Sequence, residues 1–148
     1  MHDYRELSQL MERTIHKYIQ VEKKARCFGT DTPLTQAEIH TIQLVGDYTN
    51  INITSLAKLR GTTKGAASQM IYRLVDKGLI NQSVSPDSDT EVCLTLTPSG
   101  EKAHQAHMEY HEMSGKKFFK LLSDMPEEYQ DYMMKLLQEF DHALDEFL

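Results

Sequence analysis

Apolar residues recur along this chain first at helical spacing, then briefly in alternation, then at helical spacing again. From about Asp3 to Arg26, Leu7, Leu10, Met11, Thr14, Ile15, Tyr18 and Val21 make one stripe and predict a long amphipathic helix. Cys27 to Pro33 is rich in turn formers and ends it. Thr35 then predicts the N-cap of a second helix. Glu38, three residues on, completes a capping box, and Ile39, Ile42, Leu44 and Val45 form a packing face that ends near Asp47. A short third helix is expected from about Thr54 to Arg60, with Leu56 and Leu59 facing inward. Gly61 supplies the sharp exit. Thr62 and Thr63 are N-cap candidates for a fourth helix from about Lys64 to Lys77, whose inward positions are Ala67, Met70, Ile71, Leu74 and Val75. Gly78 closes it, and Leu79 and Ile80 return the chain to the core.

The period then changes to two. Ile80 to Ser85 and Glu91 to Leu96 alternate as strands around a Pro86-Asp87-Ser88-Asp89 turn. Thr97 caps the next helix with Pro98 at its first position, and that helix is expected to run to about Leu122. Asp124 with Glu127 predicts a last capping box. The final helix reaches about Phe147 on a stripe that includes Tyr129, Tyr132, Met133, Leu136, Phe140 and Leu144. The expected fold class is mainly α with a small β-wing: a winged helix-turn-helix lobe over residues 34–97 within one domain, 1–148. A stripe as broad and aromatic as the last one exceeds what a small lobe can cover. Residues 1–33 and 98–148 are therefore assigned to dimerisation.

The polar face of the fourth helix points to chemistry. It presents Thr63, Lys64, Gly65, Ser68, Gln69, Tyr72 and Arg73, which donate to phosphates, read base edges, or are small enough to let a helix lie close to DNA. A homodimer would set two such helices into successive major grooves about 34–36 Å apart. Composition first seems to oppose this, because 148 residues carry a net charge of −6. The charge is unevenly spread. The helix-turn-helix holds Lys58, Arg60, Lys64, Arg73 and Lys77 against Asp76 alone, whereas the last segment is strongly acidic, and local field governs phosphate contact. No apolar run approaches the ~20 residues of a membrane span. The N-terminus lacks a signal-peptide layout, so a cytoplasmic protein is expected. Two cysteines, Cys27 and Cys93, make no disulfide framework. No nucleophile-and-base set or glycine-rich phosphate loop suggests an enzyme.

The element order, with Leu56-Ala57, Ala67-Ser68, Leu74-Val75-Asp76-Lys77-Gly78-Leu79-Ile80 and Leu96-Thr97-Pro98-Ser99-Gly100, resembles the MarR family of transcriptional regulators over essentially the whole chain. The resemblance implies a dimeric winged-helix regulator, usually a repressor, on a pseudo-palindromic double-stranded DNA operator. It places Thr63, Lys64, Ser68, Gln69 and Arg73 in the major groove. The chain departs from the family at the wing, which usually carries an Asp-x-Arg element. Here the tip is Asp87-Ser88-Asp89-Thr90-Glu91, with no Lys or Arg from Asn81 to Thr97.

A second signal is a set of metal-ligand types. His107 and His111 lie at i, i+4 on one helix face. A complete site needs two more ligands, for which His40 and Glu22 are candidates. The zinc-responsive repressors within the MarR family use a Glu, a second-helix His and a His-x-x-x-His pair. Glu22, His40, His107 and His111 stand at matching distances from Leu34-Thr35 and Leu96-Thr97. The resemblance implies one Zn²⁺ per subunit acting as co-repressor. A second, cysteine-containing site of those relatives is not expected, because Cys27 is displaced by one residue and Ile39 and Ala106 replace its glutamates. The alternatives are a regulator answering to a small aromatic ligand near Tyr18, Met108 and Tyr110, redox sensing through Cys27, and a winged helix used for protein interaction.

Overall fold

The computed structural model describes residues 3–114 and 116–147, without the side chains of residues 111–114. Two compact units are present, Met1–Met108 and Glu109–Leu148. The first contains α1 (Tyr4–Glu22), β1 (Ala25–Arg26), β2 (Leu34–Thr35), α2 (Gln36–Asp47), α3 (Ile53–Arg60), α4 (Lys64–Asp76), β3 (Ile80–Val84), β4 (Val92–Leu96) and most of α5 (Pro98–Ser114). The second contains α6 (Lys116–Ser123) and α7 (Glu127–Asp145).

Local chemistry sets most of the boundaries in the first unit. Asp3 opens α1 by accepting from Arg5 N at 3.0 Å. Thr35 and Glu38 close the expected capping box on α2, with Glu38 N donating to Thr35 Oγ1 at 3.2 Å and Thr35 N donating to Glu38 Oε2 at 2.9 Å. Asn52 caps α3 through Ser55 N. Gly61, at φ 59°, ends α3 in the left-handed region that glycine enters without strain. Thr63, not Thr62, caps α4 by accepting from Ala66 N at 3.2 Å. The wing strands pair antiparallel, with Ile80 opposite Leu96 and Val84 opposite Val92. Leu94 N also donates to Ile51 O at 2.9 Å, which ties the wing to the entry of α3.

Ile39 and Ile42 from α2, Leu56 from α3, Ile71 and Leu74 from α4, and Leu94 from the wing pack as one core, each essentially inaccessible. At about 25 cal/mol per Å² of apolar surface, this core is the main source of the lobe's stability. Gly100 lets α5 begin against it. A Cβ there would lie 2.1 Å from the Leu79 carbonyl oxygen.

Some expectations are corrected. The first helix stops at Glu22 rather than Arg26. Residues 25–26 pair instead with 34–35, around a turn where Phe28 and Gly29 take positive φ. Leu59, expected inward, is 48% exposed, because the eight-residue α3 buries only Leu56 and Ala57. The expectation of helix as far as Leu122 is not among these, since its described residues are helical over Pro98–Ser114 and Lys116–Ser123. The Asp124–Glu127 capping box does not form. Pro126 precedes α7 without a side-chain cap, and Asp124 accepts from Lys120 Nζ at 2.7 Å.

No residue of α1, α6 or α7 is buried within this chain. Tyr4, Leu7 and Leu10 on α1, and Tyr132, Leu136 and Leu137 on α7, are about half exposed or more. Among the described residues, no helix is long and apolar enough to cross a membrane.

Candidate nucleic-acid interface and metal-ligand cluster

The α3–turn–α4 segment carries the residues expected to meet DNA. Thr63, Lys64, Gln69 and Arg73 are exposed and Ser68 is half-buried. The Thr63 hydroxyl oxygen is used as a cap acceptor, so its proton remains to be donated outward. Arg73 leans along its helix toward Met70 Sδ at 3.7 Å. A cavity of about 200 Å³ opens beside this face, lined in part by Arg60, Thr62, Gln69 and Arg73.

The far end of α4 is fixed by a contact the sequence did not reveal. Lys77 Nζ lies 2.7 Å from Glu38 Oε1 and 3.3 Å from Pro33 O. The Glu38 carboxylate is almost inaccessible. Burial alone would raise its pKa, but the bonds from Lys77 and Thr35 outweigh burial and hold it below the usual carboxylate value. One glutamate thus caps α2 and anchors the recognition helix.

At the wing tip, Asp87 and Asp89 are exposed. Glu91 accepts from the Asn52 side chain and is drawn toward the cap of α3. Only two of the three tip carboxylates therefore face outward freely.

Three of the four candidate ligands converge. Glu22, at the last turn of α1, places Oε1 2.9 Å from His40 Nδ1 on α2. The His40 and His107 rings lie 5.2 Å apart, centroid to centroid. His107 is fully buried, with Phe28 edge-on to it at 5.5 Å. The fourth candidate, the His111 side chain, lies outside the described residues. Two imidazoles on one tetrahedral zinc have centroids about 5 Å apart, and a carboxylate oxygen and an imidazole nitrogen on it lie about 3.3 Å apart, from bonds of about 2.0–2.1 Å. The observed spacings are close to both, and the donor types are those zinc accepts. The side chains as they stand do not close on a single point. Among the described residues, no group of three His, Cys, Asp or Glu is arranged to hold a metal ion, so Glu22, His40 and His107 would have to rotate their side chains to share one.

Sequence reasoning missed one neighbour of this cluster. Arg60 Nη2 lies 3.6 Å from Glu22 Oε2. Burial and the Glu22 charge push the Tyr18 phenol above its ordinary pKa. The Arg60 contact arises from folding α1 against the helix-turn-helix, and no local spacing signals it; Tyr18 stands four residues before Glu22 on α1, a spacing visible in the sequence. Cys27 is exposed, whereas Cys93 is buried on the wing, 3.4 Å from Ser83 Oγ.

The MarR family model matches residues 34–91. The HTH-type transcriptional regulator YhjH of Bacillus subtilis is 31% identical over 139 residues, covering 86% of this chain and 79% of that protein. Streptococcus pneumoniae FabT in complex with DNA superposes with a TM-score of 0.70 at 22% identity, over 99% of this chain and 100% of that one. Lactococcus lactis ZitR, a zinc-responsive MarR family member, superposes with a TM-score of 0.66 at 15% identity, over 96% of this chain and 99% of that one. At these identities the two structures speak to fold alone.

Proposed function

The chain belongs to the MarR family, and from that premise we propose that it is a homodimeric repressor whose operator binding is promoted by zinc. The family's members are DNA-binding transcription regulators, not enzymes. The repressor sign, the dimer and the metal are the finer reading.

The observation that carries it is the meeting of Glu22, His40 and His107 from three separate elements. Zinc held there would supply a cross-link between α1, α2 and α5, with His111 as the fourth donor. Those elements frame the lobe that carries α4. A cross-link would favour one spacing of the two recognition helices in a dimer, and zinc would act as co-repressor by preferring that conformer. Four protein donors leave no open position for a reactive water, which suits a regulatory rather than catalytic ion. The exposed apolar faces of α1 and α7 suit a second copy of the chain. Thr63, Lys64, Ser68, Gln69 and Arg73 would enter the major groove.

The test is metal content and affinity of the purified protein beside His40→Ala and His107→Ala. The reading expects about one tightly held zinc per subunit, lost in both variants. No zinc above background in the parent protein would refute it.

A further inference from the structure

Arg60 is the last residue of α3, one position before the turn that feeds the recognition helix. Its guanidinium has two neighbourhoods. Nη2 lies 3.6 Å from Glu22 Oε2. The same side chain also lines the cavity shared with Gln69 and Arg73, two members of the DNA-facing set. Glu22 is shared in turn, since its other oxygen is on His40.

We infer that Glu22 holds Arg60 back from DNA, and that a divalent cation drawing the Glu22 carboxylate to itself releases Arg60 to a duplex phosphate. Only the identity of the releasing ligand rests on the zinc reading. A single carboxylate cannot neutralise both a divalent ion and a guanidinium. Once the ion takes Glu22, Arg60 is left beside like charge and without its counter-ion, and a duplex phosphate brought to the cavity it lines with Gln69 and Arg73 is the anion that replaces it. Paired with Glu22 it adds little to the field at the DNA face; released, it adds one positive charge per subunit. A planar guanidinium is also well matched to phosphate oxygens. The inference therefore joins the cluster to DNA through a side chain of the helix-turn-helix itself.

The consequence is measurable without metal. Each phosphate neutralised steepens the dependence of log affinity on log salt by about 0.9. Two subunits on one operator steepen it by about 1.8, deepening the affinity loss between 50 and 200 mM salt by roughly 12-fold.

The experiment is a salt titration of duplex binding by the full chain in chelator, with an operator selected from random duplexes. The proteins compared are the parent, Glu22→Gln, Arg60→Met and the double variant. Glu22→Gln is expected to bind more tightly at 50 mM salt, with the steeper slope, and both gains are expected to vanish when Arg60→Met is added. An unchanged slope in Glu22→Gln, or a gain that persists without Arg60, overturns the inference. If Glu22→Gln fails to fold by circular dichroism, zinc added to the parent and to Arg60→Met replaces it. The slope should then steepen in the parent alone, and equal steepening in both overturns the inference. Failure of zinc to bind, with the Glu22→Gln effect intact, sinks the zinc reading and zinc as the releasing ion, and leaves the restraint of Arg60 by Glu22 standing. Zinc binding without that effect does the reverse.

Discussion

Replacing Lys77 by Met should loosen the recognition helix at its C-terminal end. Lys77 is the cap of α4, and its ammonium meets Glu38 Oε1 at 2.7 Å. Methionine keeps the apolar stem and removes the charge. The Glu38 carboxylate, 6% exposed, would then keep its bonds from Thr35 alone among the groups that hold its pKa down. Breaking a fully buried ion pair from one side costs about 3–5 kcal/mol. Lys77 is 30% exposed, and water can reach the vacated side, which lowers the expected loss to about 1–2 kcal/mol. For a chain of this size that is a fall in Tm of roughly 3–8 °C. A cycle with Glu38→Gln should return a coupling energy of about 1 kcal/mol.

The pH dependence follows from the depressed Glu38 pKa. Its contribution is fully present above the unfolded value of about 4.3 and is lost as pH falls through the lower folded value. The gap between parent and Lys77→Met should therefore be full at pH 7 and should close in acid below the usual carboxylate range. Denaturant unfolding at a series of pH values reads this directly. A loss under about 0.3 kcal/mol at pH 7, or a gap of unchanged size at pH 3, would refute the assignment of Glu38 as the anchor.

Three further outcomes are expected. Gly100→Ala forces a Cβ against the Leu79 carbonyl oxygen and should cost at least the upper part of the ~1–3 kcal/mol range for overpacking, read by urea unfolding; a change within about 0.5 kcal/mol would contradict the close approach. Gln69→Ala should relax base preference at one operator position by about 1–3 kcal/mol, whereas Lys64→Ala should weaken all duplexes alike and flatten the salt slope. Asp87→Asn with Asp89→Asn removes the outward carboxylates of the wing and should tighten operator binding several-fold at low salt, an effect that 0.5 M salt should erase; equal affinity at low salt would mean that the wing stays clear of the duplex.

The helix-turn-helix was readable because its boundaries are set by neighbours in sequence. The Thr35/Glu38 box, the Thr63 cap and the glycine at residue 61 each act within four residues, and each forms as the sequence implies. Elements whose ends depend on distant pairing were misread. Residues 25–26 continue the apparent helical register of α1, but they are drawn into a strand by residues 34–35 across a positive-φ turn. Asp124 and Glu127 have the spacing of a capping box, yet the intervening Pro126 sits at the cap position, and proline has no N–H to donate the return bond.

The cluster divides in the same way. Candidate ligands could be picked by residue type and by resemblance, and the structure brings Glu22, His40 and His107 together. Arg60 beside Glu22 and Lys77 beside Glu38 could not be picked, since 38 or 39 residues separate the partners and their charges look like those of any solvated helix face.

In the proposed function, metal at Glu22, His40 and His107 strengthens DNA binding. The most direct measurement is fluorescence anisotropy of an operator duplex, selected in the presence of zinc, titrated with the full chain at fixed salt in zinc and again in chelator. Allosteric couplings commonly amount to about 5–150-fold. Tighter binding in zinc within that range, with no zinc effect in His107→Ala, is the expected result. Equal affinity in zinc and chelator, or weaker binding in zinc, would contradict it.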